Sequence, residues 1–162
     1  MNSADAVDLA ALPDEAHERF MRLAIEQGRR NAAFPFGAVI VRAADQQVMA
    51  EGFNDTVRSP TLHGEIAAID DYVRRHGSQG WGQMVLYTTG EPCPMCMSAL
   101  IWAGIGAIVY ATSIAELTRL GMDQIDIDSR AVAMASPFWH GGLLGGVLAA
   151  ETDAIFARRR RS

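Results

Sequence analysis

His63-Gly64-Glu65 and Pro92-Cys93-Pro94-Met95-Cys96 together offer one imidazole, two thiolates and one spare carboxylate. Zinc prefers tetrahedral nitrogen and sulfur donors, and a zinc that does chemistry keeps one position open for water. With two residues between them, Cys93 and Cys96 can face one ion from the first turn of a helix, where the helix N-terminus also lowers a thiol's pKa. His63 would be the third ligand, from the start of another helix. Two thiolates and a neutral imidazole cancel the charge of the ion, which leaves a bound water less acidic than in an all-histidine site. A neighbouring base is then useful. Glu65, two residues from a ligand, can reach that water without coordinating, take its proton and pass it on as a general acid–base.

Each half alone is ordinary: Cys-x-x-Cys also serves as a redox pair, and His-x-Glu also starts surface helices. Their joint occurrence in this order, with prolines framing Cys93, favours the metal. A structural zinc would need a fourth protein ligand. His17, His76 and His140 are the histidines left for that place, none at finger-like spacing.

The elements that must position these groups follow from patterning. The 162 residues, 49 % hydrophobic and 20 % charged, suit one domain, expected over 14–162 after a flexible segment 1–13. No apolar run reaches membrane-spanning length and no secretory signal pattern opens the chain, so a cytoplasmic protein is expected. All basic residues are arginine, which excludes Schiff-base chemistry on lysine. A net charge of −5 argues against wide contact with nucleic acid, Arg158-Arg159-Arg160-Arg161 being the exception.

A helix is predicted from Asp14 to about Asn31, with Phe20, Leu23 and Ala24 on one face. Ala38–Val41 and Val48–Gly52 read as a hairpin. A second helix begins near His63 with Ile66, Ile69 and Val73 on one side. Met84–Thr88 reads as a strand, Cys93–Ala103 as a helix, Ile108–Ala111 as a strand and Leu143–Ala157 as a last helix. Gly141, Gly142, Gly145 and Gly146 are expected to allow close helix packing. Met95 and Met97 are expected to fill gaps in the core. Strands alternating with helices give an α/β domain.

The His-x-Glu and Pro-Cys-x-x-Cys signature resembles the cytidine/deoxycytidylate deaminase superfamily over roughly residues 15–125. The resemblance implies a three-layer sandwich, with helices on both faces of a mixed five-stranded sheet, and a homodimer or larger assembly. It also implies hydrolytic deamination of an aminated nucleobase or nucleoside with loss of ammonia. By it His63, Cys93 and Cys96 hold one Zn2+ and Glu65 shuttles protons. Residue 64 is glycine where alanine is usual, although fungal cytosine deaminases are similar over Thr61–Ile66.

Guanine is the first substrate the resemblance suggests. Pro35–Val39 is similar to the segment that lines the base pocket of bacterial guanine deaminases, and this points to Phe36. Asn54 matches an asparagine that hydrogen-bonds the base, and Trp102 a tryptophan near the purine. Asp123, in Gly121-Met122-Asp123, falls where those enzymes carry an aspartate that assists proton transfer in Gly-Phe-Asp. After Asp126 the likeness fades, and their tyrosine-containing tail is absent. The residues themselves leave plainer readings open: Phe36 and Trp102 as core aromatics, and Asn54 as a turn residue bonding its own backbone. Phe138-Trp139-His140 is expected to cap the pocket, in its own chain or across a dimer, which makes His140 a further substrate contact. Cytosine deamination, tRNA adenosine deamination and a non-enzymatic zinc-binding paralogue are the competing readings.

Overall fold

The computed structural model describes residues 7–159. Three strands are buried almost throughout: β1 (Gly37–Arg42), β3 (Met84–Gly90) and β4 (Ala107–Thr112). Strands covered on both faces read as continuous apolar runs, which is why Ala38–Val41 is too apolar for a surface strand. With β2 (Gln47–Phe53) and β5 (Gly142–Leu144) they form one mixed sheet in the order β2-β1-β3-β4-β5. β1 runs antiparallel to β2 and β3, while β3, β4 and β5 are parallel.

Side-chain alternation along the strands divides the core. Ala38, Ile40, Leu86 and Ile108 point to one side, against α2 (Gly64–His76), α3 (Pro94–Ala103) and α5 (Ser129–Met134). Val39, Val41, Val85, Tyr87 and Val109 point to the other, against α1 (Asp14–Gly28) and α6 (Ala149–Ala157). This is the expected cytidine deaminase-like sandwich. A third, smaller cluster joins Leu117 of α4 (Ile114–Arg119), Met122 and Phe156 to Phe36 and Leu120. Burial of each such side chain contributes roughly 1.5–3 kcal/mol.

Four expectations are corrected. Leu143 and Leu144 belong to β5, and the last helix starts only at Ala149, because Gly146 and Leu148 take positive φ (88° and 56°) and break the chain between them. The glycines there do not serve helix packing: a Cβ on Gly141 would sit 2.2 Å from the Trp139 ring, and one on Gly145 2.3 Å from that of Tyr110. The core face of α2 is Gly64, Glu65, Ala68 and Tyr72, which turns Val73 outward. Leu23 of α1 is likewise exposed while Phe20 and Ala24 are buried.

The N-terminal segment is fastened over its described part. Leu9–Ala11 form a 3-10 turn capped by Asp8, and Val7 and Leu9 pack on the α1 side of the sheet. His17 Nε2 donates to the Leu9 carbonyl at 2.9 Å, while Nδ1 takes the Tyr87 hydroxyl proton at 2.8 Å. Burial raises the Tyr87 pKa, which keeps the phenol a neutral donor. Residues 1–6 of the expected flexible segment, and Arg160 and Arg161 of the arginine run, lie outside the described residues.

Candidate active site

Three strand ends meet at one edge of the sheet: the start of β1, the end of β2 and the end of β3, fixed by the pairings Gly37 with Phe53 and Ala38 with Thr88. Open α/β sheets place ligands outside the carboxyl ends of their strands. Here that edge carries Phe36, Asn54 and the run Thr88–Glu91.

Two helices start at the same place. His63 is the N-cap residue of α2, Cys93 that of α3, and Pro94 occupies the first helical position of α3, where a missing N–H costs nothing. His63 Nδ1 lies 3.6 Å from the sulfurs of both Cys93 and Cys96. A tetrahedral zinc with bonds of about 2.3 Å to sulfur and 2.0–2.1 Å to nitrogen separates such donors by about 3.6 Å, so the spacing fits the ion. The hydrogen bond from Cys96, helped by His63, lowers Cys93 to about 4, and the same bond together with burial raises Cys96. His63 is raised by its bond to Cys93. A divalent ion would hold both sulfurs as thiolates.

No other His, Cys, Asp or Glu of the described residues joins this cluster. The histidines left open as a fourth ligand are engaged or placed elsewhere: His17 as above, His76 on the Met49 carbonyl at 2.8 Å, and His140 at the surface. The three-donor set leaves a position for water, as a catalytic zinc requires.

Glu65 sits on the first turn of α2, 4 % exposed. Burial raises its pKa and the Cys93 thiolate adds to this, while its own backbone N–H and the Thr88 hydroxyl resist. A carboxyl whose pKa is raised by burial suits a group that must both accept and return a proton. Thr88 Oγ1 donates to Glu65 Oε1 at 2.9 Å, with the Gly90 carbonyl at 3.1 Å as its other acceptor. Gly64 has a local reason as well. A Cβ there would stand 3.0 Å from the Phe36 carbonyl, so glycine lets the start of α2 press against the loop before β1.

The cleft above these groups has a volume of about 390 Å3, at the lower end for small-molecule sites. Phe36 lines it and also packs on Phe156, ring centroids 4.8 Å apart, so it is both pocket wall and core aromatic. Asn54 is 5 % exposed and its side-chain Oδ1 has no partner. Its backbone is fully used, with N–H donating to Phe36 and C=O accepting from Asn31 Nδ2, both at 2.9 Å. The plain turn-asparagine reading therefore fails, and a buried acceptor in a cleft is left without a donor. Asp123 stands at the exposed rim, with Met122 buried beneath it.

Two expected contacts do not reach the cleft of this chain. Trp102 is 78 % exposed, because Cys96, Met97, Leu100 and Ile101 already occupy the inner face of α3. It stacks on Phe138 at 5.1 Å. His140 is exposed beyond Trp139, whose ring is buried and donates Nε1–H to the Ile105 carbonyl at 2.8 Å. The aromatic run anchors the chain before β5 and does not cap this pocket. Of the two methionines, Met97 is fully buried and Met95 partly so.

Other side chains in the site escaped the sequence reading. Thr89 Oγ1 donates to the Pro35 carbonyl and accepts from the Gly37 N–H, pinning the loop that carries Phe36. Glu91 accepts from the N–H of Ile114 and from both the N–H and hydroxyl of Ser129. One buried carboxylate thus fixes the starts of α4 and α5. Arg159 lines the cleft from the end of α6. Glu91 stands two residues before Cys93 and Arg159 belongs to the arginine run, the hints the sequence offers.

A family model described as the cytidine and deoxycytidylate deaminase zinc-binding region matches residues 14–112, a span holding all three metal donors and Glu65. The chain belongs to this family of zinc-binding deaminases, hydrolases that act on C–N bonds of cyclic amidines. Among individual relatives, the guanine deaminase of Bacillus subtilis is 36 % identical over 133 residues, 76 % of this chain and 84 % of that protein. A tRNA-specific adenosine deaminase of Haemophilus influenzae is 32 % identical over 112 residues, 66 % of this chain and 64 % of its own length. The solved guanine deaminase of Nitrosomonas europaea shares the fold at a TM-score of 0.77, covering 96 % of each chain at 23 % identity.

Proposed function

We propose that the protein is a zinc-dependent hydrolytic deaminase of a free aminated nucleobase, with guanine its first substrate. The observation that carries this reading is a buried carboxyl, Glu65, placed beside a three-donor metal set in one cleft with an unpartnered amide oxygen, Asn54 Oδ1. Zinc held by His63, Cys93 and Cys96 would supply an acidified water and Lewis acidity. The chain does the rest. Asn54 accepts a ring N–H, Phe36 offers its ring to the base and the cleft walls limit water. Glu65 takes a proton from the attacking water and delivers it to the amine. The C–N bond then breaks, a carbonyl replaces the amine and ammonia leaves. Asp123 at the rim assists the second proton transfer. Guanine is put first because the Bacillus subtilis guanine deaminase shares more identity over more of the chain than the tRNA-specific relative reported with it.

The test is an ammonia-release panel over guanine, cytosine, adenine, their nucleosides and a tRNA anticodon stem. Release from guanine well above the others is expected. Preference for cytosine or for the RNA would replace this assignment with that substrate.

No helix among the described residues is long and apolar enough to cross a membrane, consistent with work in the cytoplasm. We also propose a homodimer through the face of α2, α3 and α5. There Val73, Trp102, Met134 and Phe138 are all exposed, an unusual density of large apolar groups for a surface left to water. Trp102→Glu is expected to yield monomers by light scattering. A variant that stays dimeric would move the interface elsewhere, and a monomeric parent protein would remove the dimer.

A further inference from the structure

Arg159 has no part in the chemistry above, yet it lines the same cleft as His63, Glu65 and Cys93 and is the one arginine among the described residues that does so. Its guanidinium is held in place. Nη1 donates to the Phe156 carbonyl at 2.8 Å and to the Leu120 carbonyl at 3.4 Å, and Nη2 donates to Leu120 at 3.4 Å. These carbonyls close α6 and α4, helix ends where a cation is favoured. Phe156 is fully buried and packs on Phe36, so the platform under Arg159 is the back of the pocket wall.

A guanidinium has five N–H groups in a rigid fork, and the three named bonds use three of them. The two left are Nε–H and the second Nη2–H, which lie side by side and parallel. Among the described residues no carboxylate pairs with them. Two parallel donors at a cleft wall ask for two adjacent acceptors.

We propose that Arg159 is a specificity-determining residue. Its free side binds paired acceptors on the substrate's ring edge remote from the reacting amine, as a 6-oxo group next to N7 provides on guanine. This rests on the deaminase reading and narrows its substrate class to oxo-bearing aminopurines. A bidentate arginine on those two atoms is a common way of reading guanine in the major groove of DNA. The C2 amine lies across the ring, where Glu65 and the metal donors act. Asn54 Oδ1, itself an acceptor, takes a ring N–H and does not compete. An amine at position 6 would set a donor against two donors, which penalises that ring.

Binding to the zinc-loaded Glu65→Gln protein is measured by calorimetry with guanine, 2-aminopurine and guanosine 5′-monophosphate. Guanine is expected to bind more tightly than 2-aminopurine. Adding Arg159→Gln is expected to weaken guanine by about 10- to 100-fold, the effect of a charge-assisted hydrogen-bond pair, and to weaken 2-aminopurine, which keeps N7 but lacks the oxo group, several-fold less. Arg159→Lys keeps the charge at the two helix ends and serves as the folded control, with an intermediate loss. Equal weakening of both bases, no weakening, or no binding of either would overturn the assignment and leave Arg159 a tie between helices. Tightest binding of the monophosphate, abolished by Arg159→Gln, would overturn it in favour of a phosphate reader. Absence of ammonia release by the unmutated enzyme would instead remove the deaminase reading, while the binding ratio still judges Arg159.

Discussion

Glu65→Gln is expected to keep its zinc and to lose ammonia release by about 10²- to 10⁴-fold, the range a positioned general acid–base contributes. Glutamine keeps the size of the side chain and an oxygen able to accept from Thr88, whose hydroxyl stands 2.9 Å from Glu65 Oε1. What it removes is the capacity to hold and return a proton. Because the carboxylate is not one of the three metal donors, metal content by atomic absorption and rate by ammonia assay separate cleanly. A variant that loses zinc would make Glu65 structural, and one that stays active would take the proton transfers away from it.

Removal of the metal is the second large effect expected. One zinc per chain should be found in purified protein, and a chelator should abolish activity, with restoration on adding zinc back. The donors come from the starts of α2 and α3, so the ion also clamps two helices on one side of the sheet. A ligand at about 100 times its dissociation constant stabilises by about 2.7 kcal/mol, and each kcal/mol moves the melting point of a chain this size by about 2–4 °C. Zinc should therefore raise the melting temperature by about 5–10 °C. Cys96→Ser should lose both the activity and this rise. Full activity in a protein freed of metal would refute the reading of the site.

The metal donors and Glu65 were legible because each half of the set is local in sequence. Two cysteines three positions apart on a first helical turn, and a histidine with a glutamate two positions on, carry their spatial relation in their spacing. The buried strands were legible for the same reason, since a strand covered on both faces is apolar at every position. What failed depended on long-range packing. β5 is three residues of glycine and leucine beside β4, and nothing in Gly142-Leu143-Leu144 separates an edge strand from a helix start. Trp102 follows a run of inward-facing residues on α3, so a shift of one position decides whether it meets the pocket or the solvent. Arg159 stands some sixty residues after the cysteines, and only the packing of Phe156 on Phe36 brings it to the cleft.

The Glu91 carboxylate that fastens Ile114 and Ser129 separates the molecule into two inheritances. The metal donors stand at the starts of α2 and α3, the helices packed over β1, β2 and β3. The rim of the cleft, Gly121 to Gln124, hangs between two helices moored to that one acid. Substitutions in this rim other than at Asp123 can therefore reshape the cleft wall while the moorings on either side hold.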